Sequence, residues 1–223
     1  MSKKKIFIAV DTNKISRAKR IIRDTQTNKI KIGYKFGLEF FYSKEGRKFI
    51  SRLKNQTIFL DLKLNDIPNT VKSAMKSLKD LKISYLTVHL SSGLSALKAL
   101  KKESKNIKIV GVTTLTSLNN KNLKEIGYNK KVNELVRHQA KLAAKAKLDA
   151  IVCSGHEIRL VKKVFKKEVI TPGIKMKNTQ NDQKRIMKPK DAFAAGSDWL
   201  VIGRSITNGN IKKNIKYFLE NCL

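Results

Sequence analysis

Short apolar runs rich in β-branched residues recur along the chain, and the stretches between them carry the spacing of amphipathic helices; no other feature constrains the fold as tightly. Eight such runs are present, at residues 6–10, 30–36, 57–60, 85–88, 107–112, 150–152, 168–171 and 199–202. Between the third and fourth, Val71, Ala74, Met75, Leu78 and Leu81 fall on one face at helical spacing and predict a helix over 71–81. Strands that alternate with helices pair in parallel, because each crossover returns the chain to the same end of the sheet. Eight units of this kind close on themselves, which predicts an α/β fold: a single (β/α)8 TIM barrel spanning residues 1–223 as one domain. The length of 223 residues lies near the lower end of what such a barrel requires. The competing arrangement is an open doubly wound sheet, but the first run leads into Asp11-Thr12-Asn13, not into a glycine-rich dinucleotide turn. No linker rich in Pro, Gly or Ser marks a second domain.

A βα barrel carries its chemistry at the C-terminal ends of its strands, so the residues that close each run are the ones to read. Asp11 follows the first run and Lys35 lies at the end of the second; Asp61 and Lys63 follow the third and His89 the fourth. Thr113-Thr114-Leu115-Thr116-Ser117 follow the fifth, Ser154 the sixth, Pro172-Gly173 the seventh and Gly203-Arg204 the eighth. Two residues apart in extended chain, Asp61 and Lys63 project to the same side, into the mouth, and Asp66 would bring a second carboxylate to the same lysine. A lysine held between carboxylates stays protonated and is equipped to deliver a proton as general acid. An isolated D-x-K-x-x-D is ordinarily a solvated turn; its place after the third strand makes it a candidate site.

Gly203-Arg204 offers unhindered amides and a guanidinium fork where barrels commonly bind phosphate; the plainer alternative is a tight turn beside a surface arginine. The polar stretch 175–183 is long enough to close over a bound anion as a lid. His138 and His156 have no second ligand at metal-binding spacing and suit capping or solvated positions, so no metal is expected. His89 is either a mouth residue or a hydrogen-bonded structural histidine, and Trp199 is expected to fill the barrel or its packing layer.

The formal net charge is +32, a field that would attract nucleic acid or an anionic membrane. Lysine outnumbers arginine 40 to 9, however, and the lysines are spread along the chain, many at outward helix positions such as Lys72, Lys76 and Lys79. Aromatic residues, 7% of the total, do not interleave with the basic ones as a stacking platform for single strands requires. A solvated basic surface is therefore favoured over a nucleic-acid-binding one, and it would steer a phosphorylated substrate inward. Cys153 and Cys222 are the only cysteines, too few for a disulfide framework or a zinc motif, which suits a reducing compartment. The short apolar stretch after Met1-Ser2-Lys3-Lys4-Lys5 is too brief for a signal peptide or a membrane span, so a soluble, cytoplasmic protein with no membrane partner is expected.

Asp61-Leu62-Lys63-Leu64-Asn65-Asp66-Ile67-Pro68-Asn69-Thr70 resembles, without a gap, the D-x-K-x-x-D-I-P-N-T signature of the orotidine 5'-monophosphate decarboxylases. Ala9-Val10-Asp11, Lys35-Phe36-Gly37-Leu38-Glu39, Val88-His89, Thr114-Leu115-Thr116-Ser117, Thr171-Pro172-Gly173-Ile174, Asp182-Gln183-Lys184-Arg185 and Val201-Ile202-Gly203-Arg204 extend the likeness over nearly the whole chain. The resemblance implies conversion of orotidine 5'-monophosphate to UMP and carbon dioxide in pyrimidine biosynthesis, with no metal, no cofactor and no covalent intermediate. By it Lys63 protonates C6, Asp61 and Asp66 hold Lys63, and Lys35 completes the charge network and, with Asp11, contacts the ribose. Thr116 would touch the pyrimidine, and Gln183, Gly203 and Arg204 the phosphate. Asp66, Ile67 and Thr70 would reach across a homodimer interface into the partner's site.

Two positions depart from the pattern. Lys31-Ile32-Gly33 competes with Lys35-Phe36-Gly37 for the second-strand lysine, and Lys35 is chosen because Gly37-Leu38-Glu39 continues the pattern. Lys175 stands where the family has arginine, keeping the charge but losing the bidentate fork. The rivals are a magnesium-dependent sugar-phosphate decarboxylase or aldolase of the same superfamily, and a basic nucleic-acid-binding protein on a barrel scaffold.

Overall fold

Each of the eight apolar runs forms a strand in the computed structural model, which describes residues 4–176 and 186–223. They are β1 (Lys5–Ala9), β2 (Lys31–Gly37), β3 (Thr57–Leu64), β4 (Tyr85–His89), β5 (Lys108–Val112), β6 (Ala150–Val152), β7 (Glu168–Thr171) and β8 (Trp199–Ile202). All pair in parallel in sequence order, and β8 returns to β1 to close the barrel. Parallel strands wrapped by helices are buried on both faces, which is why these runs read as nearly continuous apolar segments and not as alternating ones.

The two faces carry different residues. Phe7, Ala9, Phe59, Tyr85, Val110, Ala150, Ile170, Trp199 and Val201 form the barrel interior, while Ile6, Ile8, Ile58, Leu60, Leu62, Leu86 and Val88 belong to the layer packed under the helices. Inside, Phe7 stacks on Trp199 with ring centroids 4.0 Å apart, and Phe59 and Tyr85 close on Phe7 at 4.9 and 5.3 Å. Each such fully buried ring contributes on the order of 2 kcal/mol of transfer free energy. Room for the stack comes from Gly33 on β2: a Cβ there would lie 2.6 Å from the Phe7 ring and 2.8 Å from the Thr57 carbonyl oxygen. The aromatic layer is a packed plug, so the barrel has no through-channel at that level.

β3 continues to Leu64, past the expected stop at residue 60. The following helix spans Pro68–Ser77, shorter than the expected 71–81, and opens with Pro68 in its first turn, where the missing N–H costs nothing. It ends early because the Ser77 hydroxyl donates back to the Ala74 carbonyl (2.8 Å) and the Leu78 amide closes a tight turn on Met75. Leu78 and Leu81 are still buried, from the turn and not from the helix. Among the described residues no helix is long and apolar enough to cross a membrane.

Candidate active site at the C-terminal mouth

The inward positions of β1, β2 and β3 end in charge where the aromatic plug ends. Above Phe59, alternation sends Asp61 toward the mouth and Leu62 to the outer core. The strand is not regular there. Leu60 pairs with Leu86 and Leu64 with Val88, so β3 spends four steps where β4 spends two. The excess is absorbed in a bulge in which Lys63 adopts φ 50°, the left-handed region. A lysine held there costs on the order of 1–2 kcal/mol and persists only when its surroundings hold it. Thr87 of β4 does part of that holding: the Lys63 amide donates to its hydroxyl oxygen (2.7 Å), and the hydroxyl donates to Asp61 Oδ1 (3.1 Å). Asp61 and Lys63 therefore meet through a strained bulge and not through the plain two-residue repeat of an extended strand.

The outcome is a chain of alternating charges across three adjacent strands. Lys63 Nζ lies 2.9 Å from Asp61 Oδ2, Lys35 Nζ lies 3.6 Å from the same oxygen, and Lys35 reaches Asp11 Oδ1 at 3.2 Å. The inner members are well covered, with the side chains of Lys35 12% and Asp61 14% exposed against 61% for Asp11. Burial pushes the Asp61 carboxyl up, but the charges of Lys35 and Lys63, with hydrogen bonds from Lys63 and Thr87, outweigh it and hold the group below the usual carboxylate range. His89, at the end of β4, moves the other way from its ordinary value: burial and the Lys63 charge push it down, with Asp61 opposing, so it stands neutral beside the cluster. The choice between the two second-strand lysines resolves physically. Lys35 is at the mouth, whereas Lys31 pairs with Lys5 at the opposite end and sits over the Trp199 ring.

A cavity of about 310 Å³ opens on this chain, a size suited to a small organic ligand. Asp11, Lys35, Asp61 and Lys63 line it from β1 to β3; Thr114, Thr116, Gly173, Lys175, Gly203 and Arg204 line it from the loops after β5, β7 and β8. Gly173 takes φ 75°, which a side chain would strain, and so turns the chain sharply after β7. Gly203 caps the short helix Arg204–Thr207, bringing Arg204 and Ser205 to the cavity edge.

Asp66, Ile67 and Thr70 are not part of this cavity. They lie exposed on the segment that enters the helix Pro68–Ser77, with Ile67 66% exposed. The Asp66 carboxylate accepts from the Ile67 amide (2.7 Å), while the ion pair of Lys63 among the described residues is with Asp61, so the expected contact of Asp66 with Lys63 is not made within this chain. Gln183 and most of the expected lid lie outside the described residues. Ser154 is buried in a capping box with Glu157 instead of facing the cavity, and His138 and His156 are on the surface. Thr87 escapes a reading of strand ends because it sits inside β4; the only signal for it in sequence is a polar residue at an inward position, two before His89.

A parallel barrel with lysines and carboxylates interleaved at its C-terminal mouth, facing a glycine-arginine rim, defines a βα-barrel enzyme with a site built for an anionic ligand. The chain belongs to the orotidine 5'-phosphate decarboxylase / HUMPS family, whose model matches residues 4–214. It is 45% identical to the orotidine 5'-phosphate decarboxylases of Bacillus mycoides (strain KBAB4) and Bacillus cereus (strain B4264), over 78% of this chain and 78% of each relative. The crystal structure of orotidine 5'-phosphate decarboxylase from Lactobacillus acidophilus superposes with a TM-score of 0.83 at 28% identity, covering 97% of this chain and 98% of that one. The Methanocaldococcus jannaschii orotidine 5'-monophosphate decarboxylase complexed with the inhibitor BMP, at 23% identity and a TM-score of 0.78 over 99% of both chains, shares the fold.

Proposed function

We propose that the protein is an orotidine 5'-phosphate decarboxylase acting in cytoplasmic pyrimidine biosynthesis, with the whole chain serving as one barrel domain. The observation that carries this is the Asp11-Lys35-Asp61-Lys63 chain of alternating charges on one side of a ligand-sized cavity. In the reaction the bond from C6 to the carboxylate breaks and leaves its electron pair on C6. Lys63, whose ammonium rests on Asp61, delivers its proton to that carbon and is reprotonated from solvent. Asp61 or Asp66 would press on the departing carboxylate, and Lys35 with Asp11 would meet the ribose. Thr116 would contact the pyrimidine, and Gly203, Arg204, Gln183 and Lys175 the phosphate. Binding energy gathered at that remote dianion is spent on the carbanion-like state at C6.

The chemistry of the donor set favours a metal-free reaction: Asp61 Oδ2 is taken by two ammonium groups and Oδ1 by Thr87, so a divalent cation would have to displace both lysines. The family model also covers HUMPS, and the relatives at 45% identity tip the assignment to the nucleotide substrate. The exposed Asp66, Ile67 and Thr70 support a homodimer in which each copy completes the other's site, the Asp66 carboxylate reaching the partner's Lys63. The net charge of +32 would steer the substrate dianion. The test is loss of orotidine 5'-monophosphate absorbance with purified protein in EDTA. Turnover in chelator is expected; no turnover, or activity lost to EDTA and restored by magnesium, would overturn the assignment.

A further inference from the structure

Thr87 sits where the bulged third strand meets the regular fourth. Its side chain is fully buried, at an inward position of β4 between Tyr85 and His89. The direction of its two hydrogen bonds is forced. The Lys63 amide at 2.7 Å is a donor only, so the hydroxyl oxygen accepts from it and the hydroxyl proton is left for Asp61 Oδ1 at 3.1 Å. Asp61 Oδ2 in turn takes the Lys63 ammonium at 2.9 Å. Thr87, the Lys63 backbone, the Lys63 side chain and the Asp61 carboxylate thus form one closed loop of contacts.

We propose that Thr87 is a positioning residue for the proton donor: its hydroxyl holds the Lys63 backbone in the left-handed conformation and, with its own proton, fixes the rotation of the Asp61 carboxylate on which the ammonium rests. This rests on Lys63 being the proton donor to orotidine 5'-monophosphate. At the bulge the β3–β4 ladder skips from Leu60–Leu86 to Leu64–Val88, and the Thr87 hydroxyl stands in as acceptor for the Lys63 amide. Without it the left-handed residue has a buried, unpaired amide and a strain of its own to relieve, and Asp61 is free to turn. Either movement displaces Nζ from its place, and displacement by about 1 Å at a reacting centre is enough to lower a rate about 100-fold.

The test compares Thr87→Val, which keeps the shape and removes the hydroxyl, with Thr87→Ser, which keeps the hydroxyl and removes the methyl. With orotidine 5'-monophosphate as substrate, Thr87→Val is expected to lower kcat roughly ten- to a hundredfold while KM stays within about threefold, and Thr87→Ser to recover most of kcat. A merely structural threonine gives the reverse: lower melting temperatures in both variants and unchanged kcat per folded protein. Folded Thr87→Val with wild-type kcat, or Thr87→Ser as impaired as Thr87→Val, overturns the proposal. Should Thr87→Val fail to fold, Thr87→Ala against Thr87→Ser carries the same comparison, since both lose the methyl and only one loses the hydroxyl; equal kcat in the two overturns it. A wild-type protein that does not turn over the nucleotide overturns the functional assignment itself, independently of any Thr87 variant.

Discussion

The barrel carries the same charge motif at both of its ends. At the C-terminal mouth Asp61 lies between Lys63 and Lys35 with a hydroxyl from Thr87; at the N-terminal mouth Glu168 lies between Lys108 (3.0 Å) and Lys5 (3.5 Å) with a hydroxyl from Tyr85 (2.9 Å). The inventories match and the surroundings do not. The Glu168 cluster sits on regular strands, in register from Tyr85 to Lys108 and from Ala150 to Glu168, and its lysines lie over the rings of Tyr85 and Trp199. The Asp61 cluster sits on a bulge, with a left-handed lysine, and opens on a cavity. Between them is the aromatic plug of Phe7, Phe59, Tyr85 and Trp199. A carboxylate between lysines is therefore not by itself a site; strain held in the backbone and space for a ligand are what separate an end that does chemistry from an end that closes the barrel.

The largest expected effect breaks the motif at one end and leaves it intact at the other. Lys63→Ala should lower turnover of orotidine 5'-monophosphate by about 10⁴-fold, the upper range for removing a positioned general acid, with the fold preserved by circular dichroism. Lys108→Ala, the formal counterpart, should leave kcat within about twofold, since exposed pairs contribute little even to stability. Comparable losses in the two variants would mean that backbone strain and an open cavity do not distinguish the two ends.

A smaller effect separates the two lysines of β2. Lys35→Ala should lower kcat/KM by roughly 10²–10³-fold, as expected for a charge partner of a buried carboxylate, whereas Lys31→Ala should be near neutral. The same variant has a pH signature. Asp61 titrates below its ordinary value when folded, so its contribution to stability is complete above the unfolded-state pKa of about 4 and is lost as the pH falls through the lowered folded value. Deleting Lys35 removes the strongest influence holding that value down. The acidic limb of the pH–rate profile and of the melting-temperature profile should both move to higher pH in Lys35→Ala, and unmoved limbs would show that Lys35 does not control Asp61.

How much of this was legible in sequence follows from the range of the interactions. The strands were, because burial on both faces imposes unbroken apolar runs, and Asp11, Lys35, Asp61, Lys63, Thr116, Gly203 and Arg204 were, because a barrel delivers strand ends to one place. The bulge was not: it is a mismatch between β3 and β4, and neither strand carries it alone. Thr87 was hidden for the same reason, its partners being 24 and 26 residues away. The Glu168 cluster joins β1, β4, β5 and β7, and the inward alternation that builds it appears only once the barrel closes. Asp66 is the instructive disagreement, since three residues of spacing from Lys63 suggested a local contact and the turn into the helix at Pro68 carries the carboxylate away.

The smallest effect belongs to the N-terminal mouth. Glu168→Gln keeps the shape and an acceptor for Tyr85 and removes the charge that Lys5 and Lys108 share. Because the glutamate is partly exposed and one of its lysines is nearly half exposed, solvent screening holds the expected loss to about 1 kcal/mol, read as a lower urea midpoint at constant m. Turnover should be unchanged, for Glu168, Lys5 and Lys108 line no part of the cavity and the aromatic plug lies between them and it. A fall in kcat without a fall in stability would show instead that the two mouths are coupled through the Phe7–Trp199 stack, and that the matching motifs at the ends of the barrel act as one electrostatic system.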